Sequence, residues 1–141
     1  MPADTNMISA FEMSQKAIDA FGALLGARLP WLKRQPGGHH SDPVAAKSVG
    51  LRGPVAYSLH YYGHVSHIMT RSYGQRWIEG GEMSVAFIKP VCAGDDVVVK
   101  VCDRQLQRSP ESPQENRLVL QVDVYNQLDE LVAAGWASVP N

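Results

Sequence analysis

The sequence predicts an α+β fold in which an antiparallel β-sheet wraps around one long central helix. A helical pattern runs without interruption from about Val55 to Tyr73. After Gly80-Gly81 the apolar repeat switches from helical spacing to a period of two. The chain has 141 residues, 45% of them apolar and 19% charged, which suits one core built without metal or disulfide staples. Residues 1–141 are therefore read as a single domain.

Each element carries its own signal. A strand is expected near Met7 to Glu12. Ser14 then suits a helix N-cap, with Met13 and Ile18 at hydrophobic-staple spacing across it. Ile18, Phe21 and Leu25 share one face of that helix, and Gly26 is placed to end it as a left-handed cap. The stretch from Arg28 to Ser41 holds Pro30, Pro36, Gly37 and Gly38 and reads as irregular. Asp42 as cap and Pro43 at the first position start a short helical turn over Val44 to Val49, stopped by Gly50. On the long helix, Val55, Leu59, Tyr62, Met69 and Tyr73 make one stripe. His60, His64, His67 and Arg71 make a second stripe, roughly opposite, and Gly74 ends the helix. Strands follow at about 82–89, 96–106, 117–126 and 130–139, with a loop at 108–116. Leu118, Leu120, Val122 and Val124 alternate with Val119, Gln121, Asp123 and Tyr125, the mark of a half-buried strand. Asn126 to Asp129 folds the last two strands into a hairpin without the usual glycine. Four strands in hairpin order pair antiparallel, and the one long helix covers one face of the sheet. The sheet face or edge left over is available to a partner, so a homodimer is expected.

Charge and cysteine content narrow the function. Thirteen basic and fourteen acidic side chains leave a net charge of -1, which argues against nucleic acid or an anionic membrane as main partner. No run of about 20 apolar residues could span a bilayer. The first residues lack the pattern of a signal peptide. Cys92 and Cys102 are too few for a disulfide framework and read as reduced, packed thiols of a cytoplasmic protein.

Four stretches together carry a family resemblance. They are AFEMSQKAIDAFGALLG (10–26), HSDPVAAKSVGLRGPVAYSLH (40–60), FIKPVCAGDDV (87–97) and GWASV (135–139). In this order they resemble the MaoC-like hotdog proteins, which include (R)-specific enoyl-CoA hydratases and acyl dehydratases. The second stretch is similar to the family's H-x-D-x-x-x-A motif leading into the central helix, and the third to its F-x-x-P-V-x-x-G-D segment. The resemblance implies a hotdog fold and an acyl thioester, carried by coenzyme A or a carrier protein, bound at a dimer interface. It implies that an Asp and a His, spaced D-x-N-P-x-H, activate one water that adds across an α,β double bond or leaves it. A backbone N–H at the start of the central helix would polarise the thioester carbonyl, where unpaired donors meet developing negative charge. No cofactor and no metal are implied.

The chain departs from that pattern. His40 matches the family histidine. Counting back five residues, the Asp position holds Gln35; anchored on Gly26, it holds Ala27. Neither is a carboxylate. The stretch from Gly26 to His40 is longer than in the family, and the family's His-Gly at the helix start reads Tyr57-Ser58.

The candidate site residues follow. His40 is the principal acid/base, with His39 beside it as assistant or substitute, against the plainer reading of loop histidines. Tyr57 and Ser58 stand where a backbone donor or a phenol would meet the substrate, or where a helix is simply capped. Gln35, Trp31, His60 and His64 are candidate substrate-binding residues; Trp31 serves as a lid over the site or as a loop anchor. His60, His64 and His67 recur at spacings that can share a metal, but no HExxH and no carboxylate accompany them, so a polar stripe facing the dimer seam or the substrate tunnel is the reading taken. Asp42 is read as a cap first, and Trp77 and Trp136 as core. Lys33, Arg34, Lys47 and Arg52 form a basic stretch that could meet phosphates, or plain surface charge. The function expected is hydration, dehydration or a related addition or ring closure on an acyl thioester or related α,β-unsaturated carbonyl compound. The alternatives are a non-catalytic acyl or small-ligand binder and, less favoured, a thioesterase. A thioesterase wants a carboxylate on the central helix, and residues 57–74 hold no Asp or Glu.

Overall fold

A computed structural model describes residues 6–29, 31, 38–102 and 117–141. Strand β1 (Asn6–Met13) leads into helix α1 (Gln15–Arg28). Ser14 caps α1, its hydroxyl accepting from the Ala17 N–H at 3.1 Å. Met13 and Ile18, on either side of the cap, are both fully buried. Gly26 does not end the helix. The chain runs helically through it to Arg28, and the Leu29 N–H closes the last turn on Leu25 O at 2.8 Å. Ala27 and Arg28 are good helix formers and carry the helix past one glycine; Pro30 then disfavours helical geometry at Leu29.

Helix α2 (Pro43–Ser48) starts as expected, with Asp42 Oδ1 accepting from the N–H groups of Val44 (2.8 Å) and Ala45 (3.4 Å). Gly50, at φ 85, follows its end. The central helix α3 spans Ser58–Tyr73, three residues shorter at its start than the sequence pattern suggests. Val55 and Ala56 are taken instead by a short antiparallel bridge to residues 91–92. The buried stripe of α3 is Tyr61, Val65, Ile68 and Met69; of the expected stripe Met69 is buried and Tyr73 packs against the core, whereas Leu59 is 55% exposed. Both stripes have helical spacing, so the sequence offers two registers and packing against the sheet selects one. Gly74, at φ 53, breaks the chain into a second short helix, α4 (Gln75–Gly80), which the sequence reading does not anticipate. It seats Trp77 in the core, with Nε1 donating to Ser66 Oγ at 3.0 Å.

Four strands complete the fold: β2 (Glu82–Phe87), β3 (Asp95–Cys102), β4 (Arg117–Tyr125) and β5 (Leu131–Pro140). The sheet is antiparallel, in the order β1-β3-β4-β5-β2. β3, β4 and β5 pair in sequence order, but β2 and β3 do not form a hairpin. β2 lies at the far edge against β5, because the connection 88–94 is long, contains Pro90, and crosses the sheet to bridge Val55. Asn126 replaces the missing turn glycine between β4 and β5. Its Oδ1 accepts from the N–H groups of Leu128 (2.9 Å) and Glu130 (3.1 Å), and Asp129 takes the positive φ of 56. The expected loop at 108–116 and the end of the strand expected at 96–106 lie outside the described residues.

The alternation read in β4 holds: Leu120, Val122 and Val124 are buried against α3, beside Val97, Val99 and Val101 of β3. Burying each such side chain is worth about 1.5–3 kcal/mol. Trp136 is not core. It alternates with buried Ala137, pairs in register with Gln121 and Ser84, and lies half-buried on the opposite sheet face. Both cysteines are free thiols. No helix among the described residues is long and apolar enough to cross a membrane. The architecture is the hotdog arrangement: one sheet wrapped on α3, with the stretch before α3 crossing one end of that helix.

Candidate functional site

Four of the expected site residues meet at the N-terminus of α3. The stretch Pro54 to Ala56 is tied on both sides by backbone hydrogen bonds. Val55 N–H donates to His39 O (2.9 Å), Ala56 N–H to Val91 O (2.7 Å) and Ala93 N–H to Pro54 O (2.8 Å). That fixes the Val55 carbonyl, which accepts a 2.7 Å hydrogen bond from His40 Nδ1. A carbonyl only accepts, so the Nδ1 carries the proton of the neutral ring and Nε2 is its basic atom. Gln15 Nε2 holds the backbone behind it, donating to His40 O at 3.0 Å. The flat of the imidazole lies on the Tyr57 ring, with centroids 3.9 Å apart and planes at 12°. His39 is exposed and tilted against His40 at 4.5 Å.

Tyr57 is the N-cap of α3 and makes no side-chain cap hydrogen bond. Ser58 is the first helical residue. At that position a helix leaves the first N–H groups, here those of Ser58 and Leu59, without intrahelical acceptors. The Ser58 hydroxyl is engaged with the buried Tyr61 phenol; burial pushes that phenol's pKa up and the Ser58 hydrogen bond opposes the shift. A cleft of about 240 Å³ opens here, lined by Val55, Ser58, Tyr61, Phe87, Ile88 and Lys89 among others. It adjoins the free edge of β2, where Phe87 and Ile88 are 44% and 54% exposed.

His60 and His64 lie elsewhere, in a seam of rings between α3 and the pair α1 and β1. Tyr57 tilts against Phe21 at 5.8 Å. Phe21 stacks on His60 at 4.8 Å and 4°, and Phe11 on His64 at 3.6 Å and 7°. The His60 and His64 rings are stacked 5.9 Å apart, with planes 23° from parallel. Ser9 Oγ stands 3.4 Å from His64 Nδ1, while His60 Nδ1 is buried without a hydrogen-bond partner. Burial lowers the pKa of both imidazoles, and for His64 the neighbouring His60 and His67 add to it. The seam is therefore neutral near pH 7. Among the described residues no group of three His, Cys, Asp or Glu side chains is placed to hold a metal.

The remaining candidates separate. Trp31 is 75% exposed. Gln35 lies outside the described residues, as do Lys33 and Arg34. Ala27, the other position aligned with the family Asp, is exposed on α1. Asp42 is committed to capping α2. Arg52 is not a loose phosphate ligand: its guanidinium grips Asp95 through Nη1 (3.1 Å) and Nη2 (2.8 Å). Asp95, 2% exposed, also accepts from Cys92 N–H (2.9 Å) and Gln127 Nε2 (3.0 Å). Sequence reasoning did not find Gln15, Phe21 or the Val55 carbonyl. Gln15 and Phe21 carry only the ordinary signals of a helix, and a backbone carbonyl carries none.

The MaoC-like domain family matches residues 39–121. No curated protein matches the sequence. Among solved structures, the unliganded (R)-hydratase PhaJ1 from Pseudomonas aeruginosa superposes with a TM-score of 0.69 at 20% identity, covering 100% of this chain and 83% of that one. The (R)-hydratase of A. caviae involved in PHA biosynthesis gives 0.69 at 19% identity, over 99% and 96%. The ChsH1–ChsH2 complex from Mycobacterium tuberculosis gives 0.67 at 14% identity, over 100% of both chains. At these identities the likeness is one of fold.

Proposed function

We propose that this chain, which belongs to the MaoC-like domain family, is a hydratase or dehydratase of an acyl thioester or related α,β-unsaturated carbonyl compound in which His40 works without the usual carboxylate. The observation that carries this reading is the placement of His40. Its Nδ1 is clamped on Val55 O, its face lies on Tyr57, and it stands beside the N-terminus of α3. A base whose tautomer and plane are both fixed needs less help from a second side chain.

The reaction balances with these groups alone. As a water oxygen attacks the β-carbon, His40 Nε2 takes its proton. The electrons of the double bond pass to the thioester oxygen, whose growing charge meets the N–H groups of Ser58 and Leu59 at the positive end of α3. The imidazolium then returns the proton to the α-carbon, and the reverse sequence is dehydration. The same exchange serves a substrate whose own hydroxyl attacks and closes a ring. The absence of a carboxylate at Ala27 or Gln35 favours that variation, since such a nucleophile needs no enzyme-held water. Likeness in fold to (R)-hydratases, and to a Staphylococcus aureus protein solved in complex with CoA, supports a thioester as the class to try first.

The protein acts as a homodimer in this reading. A second copy pairing on the free β2 edge would wall the cleft beside Phe87 and Ile88. Sedimentation of the intact protein reads that directly; a monomer at working concentration removes it.

The decisive experiment incubates the protein with enoyl- and 3-hydroxyacyl-CoA thioesters and follows mass. Gain or loss of one water, reduced at least about 10²-fold in His40→Ala, is the expected result. Release of free acid would make the protein a thioesterase. Tight retention of a thioester without turnover, unaffected by His40→Ala, would make it a binder.

A further inference from the structure

We infer that Gly22 is a positioning residue for the site: its missing side chain is the seat that holds the Tyr57 ring flat against His40. The inference rests on the function proposed above for its effect on turnover, but not for its geometry.

Gly22 lies buried in the middle of α1, where glycine is a poor helix former. A Cβ added there would stand 2.8 Å from Tyr57 Oη, 3.1 Å from Cε2 and 3.2 Å from Cζ. No other atoms stand as close, and all three belong to the far end of one side chain. Gly26, one turn further on the same helix, is a natural control, since a Cβ there meets nothing within 4 Å. The helix tolerates a methyl at one glycine and not at the other, and what differs is Tyr57.

The Tyr57 ring is gripped from three sides. His40 lies on one face, Phe21 tilts against it, and the bare Gly22 backbone receives its hydroxyl end. Tyr57 also caps α3, so its backbone is fixed while its ring is set by these contacts. A methyl at position 22 must therefore push the phenol, because the ring yields more easily than two packed helices. The cost falls on the His40–Tyr57 stack rather than on the fold. The Tyr57 ring face is one of the contacts that orient the imidazole, so moving the ring disturbs that orientation, and misplacement on the order of 1 Å can cost about 10²-fold in rate.

The test uses the full chain, with ring-proton resonances of His40 followed through a pH titration and thioester turnover measured in parallel. Gly22→Ala is expected to move the His40 ring signals, which sense the Tyr57 ring current, and to lower kcat by about 10²-fold with little change in KM. Gly26→Ala should change neither readout. Adding Gly22→Ala to Tyr57→Ala, which removes all three contacting atoms, should add little to Tyr57→Ala alone. Tyr57→Ala should reproduce the shifted His40 signals without touching α1. Unmoved His40 signals in Gly22→Ala would overturn the inference, as would equal effects from Gly26→Ala or failure of Gly22→Ala to fold. Should the wild-type protein turn over no thioester, the reaction proposed above fails, and the His40 signals still decide the role of Gly22.

Discussion

The two sides of His40 are held together by different physics. On one side, the crossing segment and the 88–95 connection are locked by polar contacts. Asp95 is buried and takes hydrogen bonds from Arg52, the Cys92 amide and Gln127, and the Pro54 carbonyl, both polar backbone groups of Val55 and the Ala56 N–H all have partners. On the other side, α1 and β1 meet α3 through stacked rings, with one weak polar contact at Ser9 and one unpartnered nitrogen at His60. The polar side fixes a backbone atom, the Val55 carbonyl. The ring side fixes the planes of side chains. A hydrogen-bonded clamp is directional and fails abruptly when one member is lost, whereas stacked rings slide and adapt. A site built between the two gets a rigid reference on one side and an adjustable wall on the other.

The sharpest way to break this comparison is Asp95→Ala. Arg52 is 58% exposed on its side chain and can turn to water, so the loss falls short of the roughly 3–5 kcal/mol of a fully buried pair. The stranded Cys92 amide and the lost charge-assisted bonds put it at about 2–3 kcal/mol, read as a fall in the denaturant midpoint. The Val55 carbonyl should loosen with it, so the turnover proposed for His40 should also be lost in the surviving folded fraction. A stable variant with full activity would show that the polar side does not set the site.

Acid probes both sides in turn. Burial holds the His60 and His64 pKa values below the ordinary histidine range. The folded state thus binds fewer protons than the unfolded chain, so stability is full above roughly pH 6.5 and falls as pH drops through the unfolded and then the folded values. Burial opposes the charge on Asp95, but its hydrogen bonds from Arg52, Cys92 and Gln127 outweigh that and hold its carboxyl below the ordinary range. Its contribution is present above the unfolded carboxylate value and is lost only at lower pH, as pH falls through the folded one. Unfolding midpoints measured against pH should therefore fall in two stages. His60→Phe with His64→Phe should remove the first stage alone and leave the variant more stable than wild type near pH 5. A first stage that survives both substitutions would mean other groups carry it.

The same contrast explains what could be read from the sequence. Caps, alternation and the change of period are local, so Ser14, Asp42 and the Leu118–Val124 alternation were legible, and with them the fold class. The placement of β2 was not, because pairing with β5 depends on how the connection through Pro90 crosses the sheet to Val55. His40 was legible as a candidate through a motif. Its partners were not: one is a backbone carbonyl, one is a ring face, and one is the absence of a side chain at Gly22. The histidine stripe of α3 was visible as spacing, but which way it faced was decided by Phe11 and Phe21 on other elements.

The smallest predicted effect sharpens the comparison most finely. Ser9 Oγ and His64 Nδ1 are 3.4 Å apart, beyond the usual range of a good hydrogen bond to nitrogen, at a half-buried site on an edge strand. The His64 ring already has Phe11 on its face at 3.6 Å. If the seam is held by ring contact, Ser9→Ala should change the unfolding free energy by no more than about 0.5 kcal/mol and leave the first acid stage in place. A loss of about 1 kcal/mol or more would be the size of a real net hydrogen bond. The imidazole would then be oriented by its polar contact, as His40 is by Val55, and the two sides of the site would be variations on one device instead of two.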